Sequence, residues 1–102
     1  MNRNALTPIS DNPIVLMLQD CRDWGMLHDR IRKAFGFPAY YGENWDAMWD
    51  CLRDVFFPSV QREIIVDGLD SMSSELQKYS RTLRDIFHDL QEKYPWVTVT
   101  YR

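Results

Sequence analysis

Three short apolar segments, separated by two helix-patterned stretches, constrain the fold of this chain more than any other feature. Ile14-Val15-Leu16-Met17-Leu18 is a continuous apolar run, the pattern of a strand buried on both faces. Ile64-Ile65-Val66 is a second such run, and Trp96 to Tyr101 alternates with β-branched residues as a third strand would. After the first run, Asp23 is placed to cap a helix in which Trp24, Leu27, His28, Ile31, Ala34 and Phe35 recur at helical spacing. Gly36 is placed to end it. A second helix is predicted from Trp45 to about Val55, broken by Phe56-Phe57-Pro58-Ser59, because proline disfavours helical geometry at the residue before it.

Between the second and third runs, a polar stretch with Ser71, Ser73 and Ser74 opens another helical region. Leu76, Tyr79, Leu83, Ile86, Phe87, Leu90 and Tyr94 form its apolar stripe, in one piece or two, and Pro95 stops it. Strands joined by helical connections run parallel. The expected fold class is therefore α/β, a single compact domain with a three-stranded parallel sheet flanked by helices on one face or both. The domain is expected to span residues 1–102, with residues 1–12 a flexible N-terminal extension. A chain of 102 residues has room for one real core and not for two.

The charge balance narrows the partners. A net charge of −3 and a pI near 5.2 are wrong for direct binding to a phosphate backbone, which demands a basic surface. A modest acidic bias suits a basic protein partner, through steering more than through raw affinity. Cys21 and Cys51 have no metal spacing and form no C-x-x-C. Thiols in a reducing cytoplasm are the expected state, with a disulfide between the two as the alternative. The segment from Met1 to Asn12 has no apolar core of a signal peptide, and no apolar stretch reaches membrane-spanning length. The expected location is the cytoplasm, with no membrane partner and a monomeric free state.

The segment around the second predicted helix carries the candidate chemistry. Asn44 is a good N-cap, and Tyr40-Tyr41-Gly42 before it reads as a turn, with Gly42 expected to take a backbone conformation other residues resist. At about 100° per residue, Met48, Cys51, Leu52 and Val55 gather on one side. Asp46, Trp49, Asp50 and Arg53 gather on the other, with Trp45 and Ala47 on the flanks and Asp54 extending the acidic strip. Acids on an outer helix face are ordinarily just solvated, and Asp46 also gains from the helix dipole. Asp50 is too far along for that benefit and lies one turn from a like charge, an arrangement that repels. Arg53 offsets part of the repulsion. Exposed aromatics beside acids are what a protein-binding surface presents.

Catalysis finds little support. Of the two histidines, His28 lies within an apolar stripe and reads as a packed histidine, and His88 sits on an outer helix face beside Asp89. No serine or cysteine occupies a nucleophile elbow, and the glycines form no phosphate-cradling loop. Asp46, Asp50 and Glu43 offer oxygen ligands for a hard cation, with Arg53 as a competitor. No cofactor and no metal are expected, and the chain is not expected to be an enzyme.

The stretch Tyr40-Tyr41-Gly42-Glu43-Asn44-x-Asp46-Ala47-x-Trp49-Asp50-Cys51-Leu52 resembles the central segment of the barstar family, intracellular inhibitors of secreted ribonucleases. Outside it, the similarity is one of element order along nearly the whole chain. The resemblance implies that Asp50 matches the carboxylate entering the ribonuclease's phosphate-binding site and that Asp46 matches its companion acid. Tyr40 and Trp49 match aromatic residues at or beside the interface. Asn44 and Trp45 match flanking contacts, Trp45 standing where a smaller aliphatic residue is usual. Asp89 falls where the family has a further acidic contact. The sequence departs from the family after Leu52, at Arg53-Asp54-Val55. The implied partner is a basic ribonuclease or nuclease toxin, with the chain acting as its immunity protein. A basic protein that is not a nuclease is the alternative partner, and a small metal-dependent hydrolase built on Asp46, Asp50 and Glu43 is the alternative activity.

Overall fold

The structure, a computed structural model, describes residues 12–55 and 61–102, with the side chains of Asp54 and Val55 outside that description. Residues 1–11 of the expected extension and the expected helix break at Phe56-Phe57-Pro58-Ser59 lie outside the described residues. Asn12 is tied down, its Oδ1 accepting the Glu63 amide at 2.9 Å.

The elements run β1 (Ile14–Met17), α1 (Trp24–Phe35), α2 (Trp45–Val55), β2 (Arg62–Asp67), a single 3-10 turn (Leu69–Ser71), α3 (Ser74–Tyr79), α4 (Arg81–Lys93) and β3 (Val97–Tyr101). Local chemistry sets their ends. Asp23 caps α1 by accepting the Met26 amide at 2.8 Å, and Gly36 ends it in the left-handed region at φ 68°. The hydroxyl of Ser73 accepts the Leu76 amide at 3.2 Å and starts α3. Ser80 separates α3 from α4, so the long apolar stripe is two helices. Cys21 and Cys51 are not joined in a disulfide, and burial pushes the Cys21 thiol up.

The sheet is parallel throughout, in the order β1-β2-β3. This order decides where the helices go. A parallel crossover is right-handed almost without exception, so two successive crossovers stepping in the same direction place their helices on the same face. Ile14, Ile64 and Val99 form one row on the covered face, and Leu16, Val66 and Tyr101 form the next. Beneath them Leu27, Ile31, Phe35, Met48, Leu52, Leu83, Phe87 and Leu90 are fully buried. Helix α1 packs on β1, α4 on β3, and α2 chiefly on α4.

The opposite face is open, which corrects the expectation that β1 is buried on both sides. Val15 is 37% exposed and Met17 47%, in a strand whose burial alternates. Val15, Ile65 and Thr100 share a row on this face, where Thr98 and Thr100 are exposed and Ile65 is shielded by its neighbours. A continuous apolar run here marks an edge strand with one wet face. Among the described residues no helix is long and apolar enough to cross a membrane.

The one-sided packing makes a quantitative prediction about β1. Leu16→Ala should cost about 2–5 kcal/mol, the usual range for emptying a core leucine site. Val15→Thr, one residue away, should shift stability by no more than about 0.5 kcal/mol. Urea unfolding of both variants checks this, and equal losses would contradict an open face.

Candidate protein-binding site

Helix α2 packs chiefly on α4. Met48 and Leu52, one turn apart, are fully buried and fasten it to the core. Its start is fixed by Asn44, whose Oδ1 accepts the Ala47 amide at 2.8 Å while Nδ2 donates to the Gly42 carbonyl at 3.2 Å. The cap predicted from the sequence therefore forms.

The turn before it differs from expectation. Gly42 does not take the left-handed conformation; Glu43 does, at φ 53°. Space at Gly42 is instead tight, since a Cβ there would lie 3.2 Å from Asn44 Nδ2 and 3.4 Å from the Ala47 methyl.

The tyrosine pair splits. Tyr40 is 67% exposed, whereas Tyr41 is buried. The Tyr41 hydroxyl lies 2.7 Å from Nδ1 of His28, and the Tyr79 hydroxyl lies 2.7 Å from Nε2 of the same ring. His28 is fully buried, as its place in the apolar stripe implied. Its ring also lies 4.7 Å from that of Trp45, which in turn lies 4.9 Å from the Tyr79 ring. A neutral imidazole has one N–H to give and one nitrogen to accept, so it serves one hydroxyl in each role. Burial lowers the His28 pKa from 6.5 to about 4. Tyr41 is pushed well above the usual phenol range, first by burial.

The acidic residues point outward. Asp46 and Asp50 are both exposed. Asp50 accepts from Arg53 at 3.0 Å, in a pair whose side chains remain 67% and 47% exposed. Such a pair is worth at most about 1 kcal/mol. Asp89 is exposed on α4, the helix against which α2 packs. Trp49 requires a correction. Helical spacing put it on the outer face with the acids, but it is half-buried and packs in part against the core. Trp45 is likewise half-buried, on the His28 cluster.

Asp46, Asp50 and Glu43 do not assemble a cation site. Among the described residues no three His, Cys, Asp or Glu side chains come together as a metal ion would require. His88 is on the surface, 3.4 Å from Glu92. Sequence reasoning missed the part played by Tyr79, which lies 51 residues from His28 and carries no local signal of the contact.

The family profile described as "Barstar (barnase inhibitor)" matches residues 12–100. A Bacillus subtilis (strain 168) protein named "Putative ribonuclease inhibitor YrdF" is 26% identical over 80 residues, covering 78% of this chain and 86% of its own length.

Two predictions arise from this site. In the unfolded chain His28 binds a proton below about pH 6.5, whereas in the fold it stays neutral until about pH 4. Its contribution is complete above the upper value and is lost as pH falls through this window, by up to about 3 kcal/mol. Urea unfolding between about pH 5 and 7, a range above most carboxylate titration, should give a slope that is absent in His28→Gln. At Glu43, the left-handed backbone should make Glu43→Val more destabilising than Glu43→Gly, by about 1 kcal/mol or more in the same assay.

Proposed function

The chain belongs to the barstar family, and we propose that it inhibits a basic ribonuclease by presenting Asp46 and Asp50 to the enzyme's cationic active site. The observation that carries this reading is the pair of exposed carboxylates one turn apart on a helix whose opposite side is anchored by Met48 and Leu52. A ribonuclease site concentrates cationic groups to hold phosphates and to stabilise transition-state charge. Carboxylates on a stiff, pre-positioned helix occupy those phosphate positions and exclude RNA without themselves being cleaved. The name of the Bacillus subtilis relative supports the same class of target.

The energetics favour the exchange. Asp46 and Asp50 repel each other weakly across one helical turn in the free protein. Arriving cations relieve that repulsion and displace Arg53 from an exposed pair worth at most about 1 kcal/mol. Truncating one partner of a buried, hydrogen-bonded interfacial charge pair generally costs about 2–5 kcal/mol, a range for which the barnase–barstar complex is itself a reference case. Tyr40 and the exposed part of Trp49 border the acids and keep water from the pairs, which slows dissociation. Asn44 holds the helix start, Trp45 supports it from the His28 cluster, and Asp89 adds a further negative group from α4. The chain acts in this reading as a monomeric, non-catalytic immunity protein in the cytoplasm of the cell that makes the nuclease.

Asp50→Ala should weaken binding to the inhibited ribonuclease by about 30-fold to several thousand-fold. It should cost the free protein less than about 1 kcal/mol of stability. Association should also slow as salt is raised, because steering of an acidic surface to a basic one is screened. Ribonuclease inhibition kinetics with urea unfolding of the same variant provide the check. Unchanged inhibition by both Asp50→Ala and Asp46→Ala would remove the basis of this reading.

A further inference from the structure

Trp24 opens α1 and was expected in its buried stripe, yet it is 56% exposed. Together with Tyr40 it makes up the pair of large aromatic side chains that the fold leaves in solvent among the described residues. Tyr40 already belongs to the candidate interface, and Trp24 has no role in the core. It lines a groove of about 470 Å³ with Arg22, Asp23, Glu75, Leu76 and Tyr79, between the start of α1 and α3.

One wall of the groove touches the start of α2. Tyr79, on its wall, lies 4.9 Å ring to ring from Trp45, the first residue of α2. Trp45 lies 4.7 Å from His28, and His28 6.4 Å from Trp24. The His28 hydrogen bond to Tyr79 locks this wall in place. The groove therefore has a stiff aromatic lining that begins where the carboxylate-bearing helix begins.

We propose that this groove is a second contact for the same nuclease and receives a lysine or arginine side chain from a loop beside its active site. The inference rests on the reading that α2 blocks a ribonuclease. Trp24, 56% exposed on the groove wall, supplies an aromatic ring of the kind that attracts a cation. Two carboxylates, Asp23 and Glu75, stand against one guanidinium, Arg22. Asp23 Oδ1 accepts the Met26 amide in the cap of α1, and Glu75 faces the groove from the first turn of α3. Trp and Arg are the residue types over-represented where interface energy concentrates. A basic nuclease steered to α2 by charge presents further cations at its rim, and the groove selects among nucleases by where those cations lie.

The test measures dissociation constants of the wild-type chain and four variants against barnase and the purified secreted ribonucleases of the organism that encodes the chain. Trp24→Ala and Glu75→Lys should each bind about 10- to 30-fold more weakly, and Trp24→Phe should stay within about threefold of wild type. Glu75→Lys alters no ring, so it reports on the groove even if Trp24→Ala perturbs α1. Wild-type binding by both Trp24→Ala and Glu75→Lys, alongside weakened Asp50→Ala, overturns the groove and leaves the α2 reading standing. If the wild-type chain binds none of these ribonucleases, the α2 reading and the groove fall together.

Discussion

Two hydrogen bonds to one buried imidazole join the three segments from which the candidate surface is built. His28 on α1 meets Tyr41 in the turn before α2 and Tyr79 at the end of α3, each at 2.7 Å. Trp45 rests on the same ring. A hydrogen-bonded polar group in a dry site is worth keeping satisfied, because each orphaned partner would carry its own desolvation cost. The start of α2 is thereby held relative to α1 and α3, while Met48 and Leu52 hold its middle. A helix gripped at its start and along one side can display charge on the other without yielding to repulsion.

That display runs against the stability of the free protein, though not by much. The like charges at Asp46 and Asp50 cost a few tenths of a kcal/mol on an exposed helix. Arg53 returns part of this through a pair that water largely screens. Placed in a desolvated interface, the same carboxylates interact far more strongly, since the local dielectric falls. The arrangement is thus weakly unfavourable alone and strongly favourable against a cationic cleft. Glu43 adds a second local cost, as a left-handed non-glycine residue directly before the cap.

Residue patterns made the elements and their caps readable in advance. Asp23 and Gly36 bound α1 and Asn44 starts α2, each through chemistry that acts over three or four residues, while the polar stretch at Ser71, Ser73 and Ser74 marked a helix opening without singling out Ser73 as its cap. The acidic outer strip was readable for the same reason, since Asp46 and Asp50 share a face by helical spacing alone. Burial was less readable. Trp24, Trp49, Val15 and Met17 were each assigned a side by periodicity, and in each case a neighbouring element, or the lack of one, decided otherwise. At the turn before α2 residue type misled, since the left-handed conformation falls on Glu43 and not on Gly42.

By itself, then, the amino-acid order determined three strands, their helical crossovers, the helix caps and a pair of acids one turn apart. These depend on interactions between near neighbours along the chain. Tertiary structure alone decided that the described helices lie on one face, that Trp49 is half-buried while Trp24 is exposed, and that Tyr79 completes the His28 cluster. Those outcomes depend on which surfaces meet when distant segments pack, and no local pattern encodes a contact across 51 residues.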